Sequence, residues 1–257
     1  MKNLIIIQHL EREGPGLFYE IGKERGFSIK IYNLYKDHYL PKPKKGDLVL
    51  IMGGPMGVSD INNEKYPWLK DEINFIKQLL ENEISYIGIC LGAQLLAYGA
   101  GGNVEKLRDK SNNKIRAEIG WSEISSNYNK SNDISCFLRD PLYVLHWHED
   151  RILLPNNAEL IAGSTYCKEQ LFKIGSYCYG LQFHIENNIS MTKRWIKEDK
   201  KFIIKHLGLN GPKIIEKQSK NHEINSLKRR ISLINKLFDD LDHKKTLHIC
   251  EGNKKTI

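Results

Sequence analysis

One stretch constrains the fold more than any other: Tyr86-Ile87-Gly88-Ile89-Cys90-Leu91-Gly92-Ala93-Gln94-Leu95-Leu96-Ala97-Tyr98-Gly99. It opens as a short apolar run, the pattern of a buried strand. It continues with Leu91, Leu95, Leu96 and Tyr98 at helical spacing. Cys90 sits at the junction, with glycines two residues before and two after it. Such a turn holds the cysteine at the carboxyl end of a strand. The glycines allow a tight bend and the close approach of another segment. A helix starting at Leu91 aims its free N–H groups and positive dipole end at the sulfur, and both favour the thiolate. Two readings fit the stretch alone. Cys90 is either a small buried hydrophobe or a nucleophile on an elbow. Glycine on both sides wastes packing in the first case and is required in the second.

The flanking chain points to an α/β fold. Residues 4–7, 28–32 and 47–52 read as strands, and 17–25 and 65–81 as helices, the latter with Trp68, Leu69, Ile73, Ile76 and Leu80 on one face. Continuous apolar strands at this spacing predict a mostly parallel central sheet with helices on both faces. From 115 to 183 the pattern shifts to short strands at 115–124, 142–147, 159–165, 170–174 and 178–183, some of them antiparallel. A helix over 189–207 is expected to stop at Gly208, with Gly211-Pro212 beyond it. The tail carries Ile224, Leu227, Ile231, Ile234, Leu237, Phe238 and Leu241 every three or four residues, which makes 223–242 an amphipathic helix. Its other face is read as basic through Lys228-Arg229-Arg230. The expected organisation is one α/β domain over residues 1–210 and a C-terminal helical extension over 211–257. The apolar stripe suits packing on that domain, a homo-oligomer contact or a docking surface.

Bulk composition excludes several classes. Net charge is +8, but the lysines are scattered among acids with no arginine block, which argues against nucleic-acid binding. The five cysteines are an odd number without a C-x-x-C spacing, which argues against a disulfide framework or zinc site and for a reducing cytoplasm. The amino-terminal apolar run is too short for a signal peptide, and no stretch approaches the roughly 20 apolar residues that span a bilayer. Nothing in the sequence calls for a metal or organic cofactor.

A cysteine nucleophile needs a base, and the base needs a partner to orient it. Gln182-Phe183-His184-Ile185-Glu186 supplies a candidate pair, because period two along a strand sets His184 and Glu186 on the same side. An acyl-transfer site also needs donors for the oxyanion. The N–H of Leu91 follows the cysteine directly, and Gly53-Gly54-Pro55 lets backbone N–H groups come close to a substrate. Both turns follow strands of the expected sheet, at the carboxyl ends where ligands bind.

These three segments, Gly53-Gly54-Pro55-Met56-Gly57-Val58, Gly88-Ile89-Cys90-Leu91-Gly92-Ala93-Gln94 and Gln182-Phe183-His184-Ile185-Glu186, resemble the ordered signatures of class I glutamine amidotransferases. Stand-alone members similar to the glutaminase part of GMP synthase are the nearest likeness. His146-Trp147-His148-Glu149-Asp150 resembles their Trp-His-Gly-Asp stretch, and Glu118-Ile119-Gly120-Trp121 their Glu-Leu-Gly-Trp. The resemblance implies a flavodoxin-like α/β sheet and a role for each matching residue. Cys90 would attack the side-chain amide of glutamine. His184 would serve as base and then acid, and Glu186 would orient it. Gly54 and Leu91 would hold the oxyanion. Gln94 and the main chain at His148, Glu149 and Asp150 would hold the amino-acid end of the substrate. Ile185 stands where the family usually has proline, and Glu149 where it has glycine.

No synthase domain follows residue 207, so the ammonia acceptor is expected to be a separate synthase subunit. Two further readings stand beside the glutaminase one. The first is a γ-glutamyl hydrolase acting on another small molecule. The second is a non-catalytic scaffold or regulatory subunit, against which the complete set of catalytic residues argues.

Overall fold

The computed structural model describes residues 2–126 and 133–252, with side chains up to Asp242. Residues 253–257 of the expected extension lie outside the described residues, as does the side chain of Cys250. In chain order the elements are β1 (Asn3–Gln8), α1 (Gly16–Glu24), β2 (Ser28–Asn33), α2 (Leu34–Asp37), β3 (Leu48–Ile51), α3 (Leu69–Glu81), β4 (Ser85–Ile89), α4 (Leu91–Gly99), β5 (Asn103–Lys106), β6 (Glu118–Ile124), α5 (Asp133–Phe137), β7 (Leu142–His148), β8 (Asp150–Leu153), β9 (Ala158–Ala162), β10 (Leu171–Ile174), β11 (Cys178–Leu181), α6 (Ile189–Glu198), α7 (Lys200–Leu207) and α8 (Gly211–Gly252).

Seven strands form the main sheet in the order β2-β1-β3-β4-β11-β10-β9. The first five are parallel, and β10 and β9 run antiparallel at one edge. Strands β3 and β4 are buried along their whole length, as a sheet covered on both faces requires. On one face Phe18 and Ile21 of α1 and Leu233, Leu237 and Phe238 of α8 pack on Leu4, Leu50 and Ile87. On the other, Ile73 and Ile76 of α3 and Leu95 and Leu96 of α4 cover Ile5, Val49 and Tyr86. Phe238 is fully buried beside Phe18 and Phe27, with ring centroids 6.0 and 5.6 Å away. Burying one such ring contributes about 1.5–3 kcal/mol. Two small ribbons, β6–β7 and β5–β8, stand beside the main sheet.

Several expectations need correction. The helix over 189–207 is two helices, because Asp199 breaks it at φ −108°, ψ 24° while its carboxylate takes hydrogen bonds from Arg12 and Trp147. Gly208 does end α7, at φ 73°. Gly211-Pro212 opens a helix rather than marking a stop, since proline's missing N–H costs nothing in a first turn. The helix expected from residue 65 starts only at Leu69, past Pro67. The strand expected over 178–183 ends at Leu181. The basic face read on the C-terminal helix does not hold as a solvated surface. Arg230 is fully buried and Arg229 donates to the carbonyls of Phe137, Asp140 and Pro141. The apolar stripe also faces inward only in part, for Ile224 is 66% exposed. No helix among the described residues is long and apolar enough to cross a membrane.

Candidate active site

Cys90 stands between β4 and α4 at φ 51°, ψ −102°, a conformation that costs a residue with a Cβ energy. The glycines beside it do not carry the positive φ themselves. They make room. A Cβ on Gly88 would stand 2.4 Å from the backbone of Gly92, and one on Gly92 would stand 2.3 Å from the carbonyl oxygen of Ile51. The elbow therefore presses α4 onto β3 and β4 and stores its strain at the sulfur-bearing residue. The other buried cysteines differ. Burial pushes the thiols of Cys167 and Cys178 up to about 12, so neither forms a thiolate at neutral pH.

His184 lies past the end of β11, in a stretch that bridges to β7. Its N–H donates to the Leu145 carbonyl at 2.8 Å, and its own carbonyl accepts from Leu145 at 3.2 Å. Its Nδ1 is 2.6 Å from Glu186 Oε1. A carboxylate only accepts, so Nδ1 carries the proton and Nε2 is left for the thiol of Cys90, with which the ring also hydrogen-bonds. Burial alone would favour the neutral ring. The charge of Glu186 and the bonds to Cys90 and Glu186 overcome it and hold the imidazolium well above the ordinary histidine range. Cys90, His184 and Glu186 are thus one hydrogen-bonded row, with the carboxylate fully buried.

The row opens into a cavity of about 240 Å³, below the ~300–1,000 Å³ common for drug-sized ligands. Gly54, Cys90, Gln94, His148, Glu149, Asp150 and His184 all line it. Leu91 is not in the wall but touches it through Gly54, whose Cβ would meet Leu91 Cδ2 at 3.1 Å and Met56 Sδ at 2.6 Å. A side chain at that position would have to displace the end of Met56. Gln94 donates to Gln182 at 3.3 Å, and Gln182 in turn reaches Cys90 Sγ at 3.5 Å. His148 donates from Nδ1 to the Asp150 carbonyl at 2.8 Å, which folds the 148–150 turn around its own ring. Glu149 is bonded to Lys106, Lys205 and His206, and although partial burial opposes it, the two lysines bring its carboxyl down to about 2.

Sequence reasoning missed much of this wall. Arg12, Glu13, Lys106, Trp147, Trp195, Asp199 and Phe202 share it. Glu13 is buried against Gly53, where a Cβ would stand 2.4 Å from its Oε2, and burial raises its pKa against the pull of His184. Behind the glycine turn, His9 donates to the Gly53 carbonyl at 3.0 Å and to Glu72 of α3 at 2.8 Å. His9 accordingly holds its proton more tightly than a free histidine. Burial opposes the charged ring, and Glu72 sustains it. Below the His148 turn, Glu118, His146 and His148 bring metal-ligand atoms within 4.8 Å of one another. The Glu118 carboxylate there already accepts from Ser164 and Gln170, both at 2.6 Å. Burial brings His146 down to about 4 and keeps it neutral. Glu118 and His148 read as a polar support for the 148–150 turn, whereas neither ring nitrogen of His146 has a hydrogen-bond partner.

Comparison with known proteins agrees with this architecture. The family model described as "Glutamine amidotransferase class-I" matches residues 17–202. The putative glutamine amidotransferase-like protein YfeJ of Salmonella typhimurium is 27% identical over 195 residues, covering 74% of this chain and 78% of that protein. A glutamine-hydrolyzing GMP synthase subunit from Saccharolobus solfataricus is 30% identical over 62% of this chain and 77% of its own length. The crystal structure of a glutamine amidotransferase from Thermotoga maritima superposes with a TM-score of 0.78 at 31% identity, covering 93% of this chain and 97% of that one. The family match takes in the turn at Cys90 and six of the seven strands of the main sheet, and the chain belongs to the class I glutamine amidotransferase family.

Proposed function

We propose that the chain hydrolyses the side-chain amide of glutamine through a cysteinyl γ-glutamyl thioester and passes the ammonia to a separate synthase subunit. The observation that carries this reading is the Cys90–His184–Glu186 row opening into a small cavity. Cys90 Sγ attacks the amide carbon. The N–H groups of Gly54 and Leu91 take up the charge developing on oxygen, where positioned donors act most strongly. His184 delivers its Nε2 proton to the leaving nitrogen, the C–N bond breaks, and ammonia departs. Water then attacks the thioester with His184 as base, which releases glutamate and restores the thiolate. Glu186 holds the ring in the tautomer that both steps need.

The cavity suits a free amino acid. Its wall carries Arg12 and Lys106 together with Glu13, Asp150 and Asp199, so both signs are present for a substrate's α-carboxylate and α-ammonium. Gln94 and the 148–150 turn lie on the same wall and serve that end of the substrate. The resemblance to a GMP synthase component that is a chain of its own supports an acceptor on another chain.

Ammonia release from a panel of γ-glutamyl compounds, with and without co-purifying proteins, tests the reading. Glutamine turnover that Cys90→Ala abolishes and a co-purifying partner raises is the expected result. Hydrolysis of γ-glutamyl amines with glutamine inert would replace it with a γ-glutamyl hydrolase. Silence towards every substrate with every partner would leave a scaffold.

A further inference from the structure

The segment that carries the base and its orienting acid is not held by its own sequence. Residues 185–187 form neither helix nor strand. Ile185 fixes no backbone dihedral of its own. Yet all three carbonyls of the segment are engaged from elsewhere in the chain. The Glu186 carbonyl accepts from the N–H of Leu17 at 2.9 Å. The other two converge on one side chain of α8. Arg230 Nη1 donates to the carbonyl of Ile185 at 3.0 Å and to that of Asn187 at 2.8 Å, and it reaches Asn187 Oδ1 at 3.4 Å.

The guanidinium is itself held rigidly. Its Nη2 donates to the Glu223 carbonyl at 3.1 Å and its Nε to Ser226 Oγ at 3.1 Å. It lies over the Trp121 ring, with Cζ 5.3 Å from the centroid, and it is fully buried. Burying an arginine is costly unless its fork of donors is used, and here it is. Its charge also has a counterpart. Glu186 is a fully buried carboxylate whose Oε1 serves His184 and whose Oε2 has no hydrogen-bond partner. The charge of Glu186 in turn helps keep the Arg230 guanidinium protonated.

We propose that Arg230 is a positioning residue for the hydrolysis: from α8 it clamps the 185–187 segment so that Glu186 stays aimed at His184. The clamp makes α8, which begins beyond the family match at residue 202, part of the catalytic apparatus. Burial lowers the Arg230 guanidinium to about 10, with Glu223 and Glu186 holding it up, so it stays charged across the working range.

The inference rests on the proposed triad, so the test uses two readouts. One is the kcat and KM of glutamine hydrolysis. The other is the rate of Cys90 alkylation by iodoacetamide from about pH 5 to about pH 9, which reports the thiolate–imidazolium pair whatever the natural substrate is. Arg230→Met, Arg230→Lys and Asp240→Asn are compared in the full chain. Asp240 anchors the same helix to Lys173 and Tyr179 in the sheet and does not line the cavity. Arg230→Met is expected to lower kcat about 10–100-fold with KM little changed, because a small misplacement of a reacting group costs on that order. Its alkylation at low pH should fall in step. Arg230→Lys keeps the charge but not the fork and should lie between. Asp240→Asn should lower the melting temperature and leave both readouts in place.

Wild-type values in Arg230→Lys overturn the proposal even where the methionine variant does not fold. An equal loss in Asp240→Asn overturns it as well, since the effect would then be one of stability. A wild-type Cys90 that alkylates only above about pH 8 overturns the triad itself and the clamp with it. Early alkylation in the wild type with unchanged Arg230 variants removes the clamp alone.

Discussion

The turn at Cys90 and the turn at His184, which meet at one cavity, are built in opposite ways. The elbow at Cys90 is local. Its strand, strained residue and helix fall within fifteen residues, Ser85 to Gly99, and its two glycines answer to backbone that touches it directly. The segment at 184–187 is held at a distance, by Leu145 from β7, Leu17 from α1 and Arg230 from α8. A local turn keeps its geometry when remote parts of the fold loosen. A turn held from three elements depends on the packing of them all. The cavity thus pairs a locally built turn, the proposed nucleophile's, with a turn, the proposed base's, whose position reports the integrity of the whole fold.

The largest expected effects fall on the chemistry of the two turns. Cys90→Ala should cost glutamine hydrolysis roughly 10⁴-fold or more with the fold intact, while Cys136→Ala, at an exposed cysteine, should change nothing. Labelling by a glutamine-analogue electrophile, read by mass spectrometry, should follow the same division. Equal activity in the Cys90 variant sinks the mechanism.

Glu186→Gln comes next, at roughly 10²–10⁴-fold in kcat, since a neutral amide supports the wrong tautomer. It also tests a sign. The charge of Glu186 lifts the imidazolium of His184, so its loss lowers that pKa and with it the thiolate present at low pH. Cys90 alkylation near pH 6 should therefore drop in this variant while the rate near pH 9 is kept. An unchanged pH profile would mean that the carboxylate does not govern the ring.

Gly92→Ala attacks the elbow where α4 presses on β3. The new Cβ would stand 2.3 Å from a backbone oxygen of β3, which cannot swing aside. Overpacking of this kind costs about 1–3 kcal/mol or more. Urea denaturation should show the loss, and activity should fall even in the fraction that folds. A variant with wild-type stability would show that the elbow has slack the distances deny.

The same contrast explains what the sequence disclosed. The elbow, the glycine turn at Gly54 and the central strands were legible because their causes lie within a few residues. Apolar runs make strands of a covered sheet, and glycine beside cysteine marks a turn. His184 and Glu186 were legible as a pair, though not by the strand periodicity used to find them, since β11 ends at Leu181. What escaped was everything held across the sheet. Arg230 sits in a run of basic residues and reads as solvent-facing until Ile185 and Asn187 are brought to it. Glu72 follows Asp71 on a helix and reads as surface charge until His9 arrives from just past the end of β1. Asp199 breaks a helix with neither glycine nor proline, because Arg12 and Trp147 draw its carboxylate towards the cavity. In each case the cause is a partner far along the chain, which no local pattern encodes.

The smallest effect concerns the other turn held from a distance, the glycine turn at Gly53, which hangs from His9 and Glu72. Glu72→Gln keeps a hydrogen-bond partner for the ring but removes the charge that sustains it. The expected cost is about 1 kcal/mol, the difference between a charged and a neutral hydrogen bond. Its pH dependence has a definite sign. His9 has a raised pKa in the folded protein, so it binds its proton more tightly there than in the unfolded chain. Stability from that proton is fully present below the unfolded value of about 6.5 and is lost as pH rises through the folded value. His184 has the same sign, but it contributes to wild type and variant alike and cancels in their difference. The deficit of Glu72→Gln in urea denaturation should therefore be largest near pH 6 and shrink towards pH 9. A deficit that is flat with pH would show that His9 is held by packing rather than by charge. The Gly53 turn would then belong with the elbow, among the parts of the site that keep their shape without distant electrostatic support.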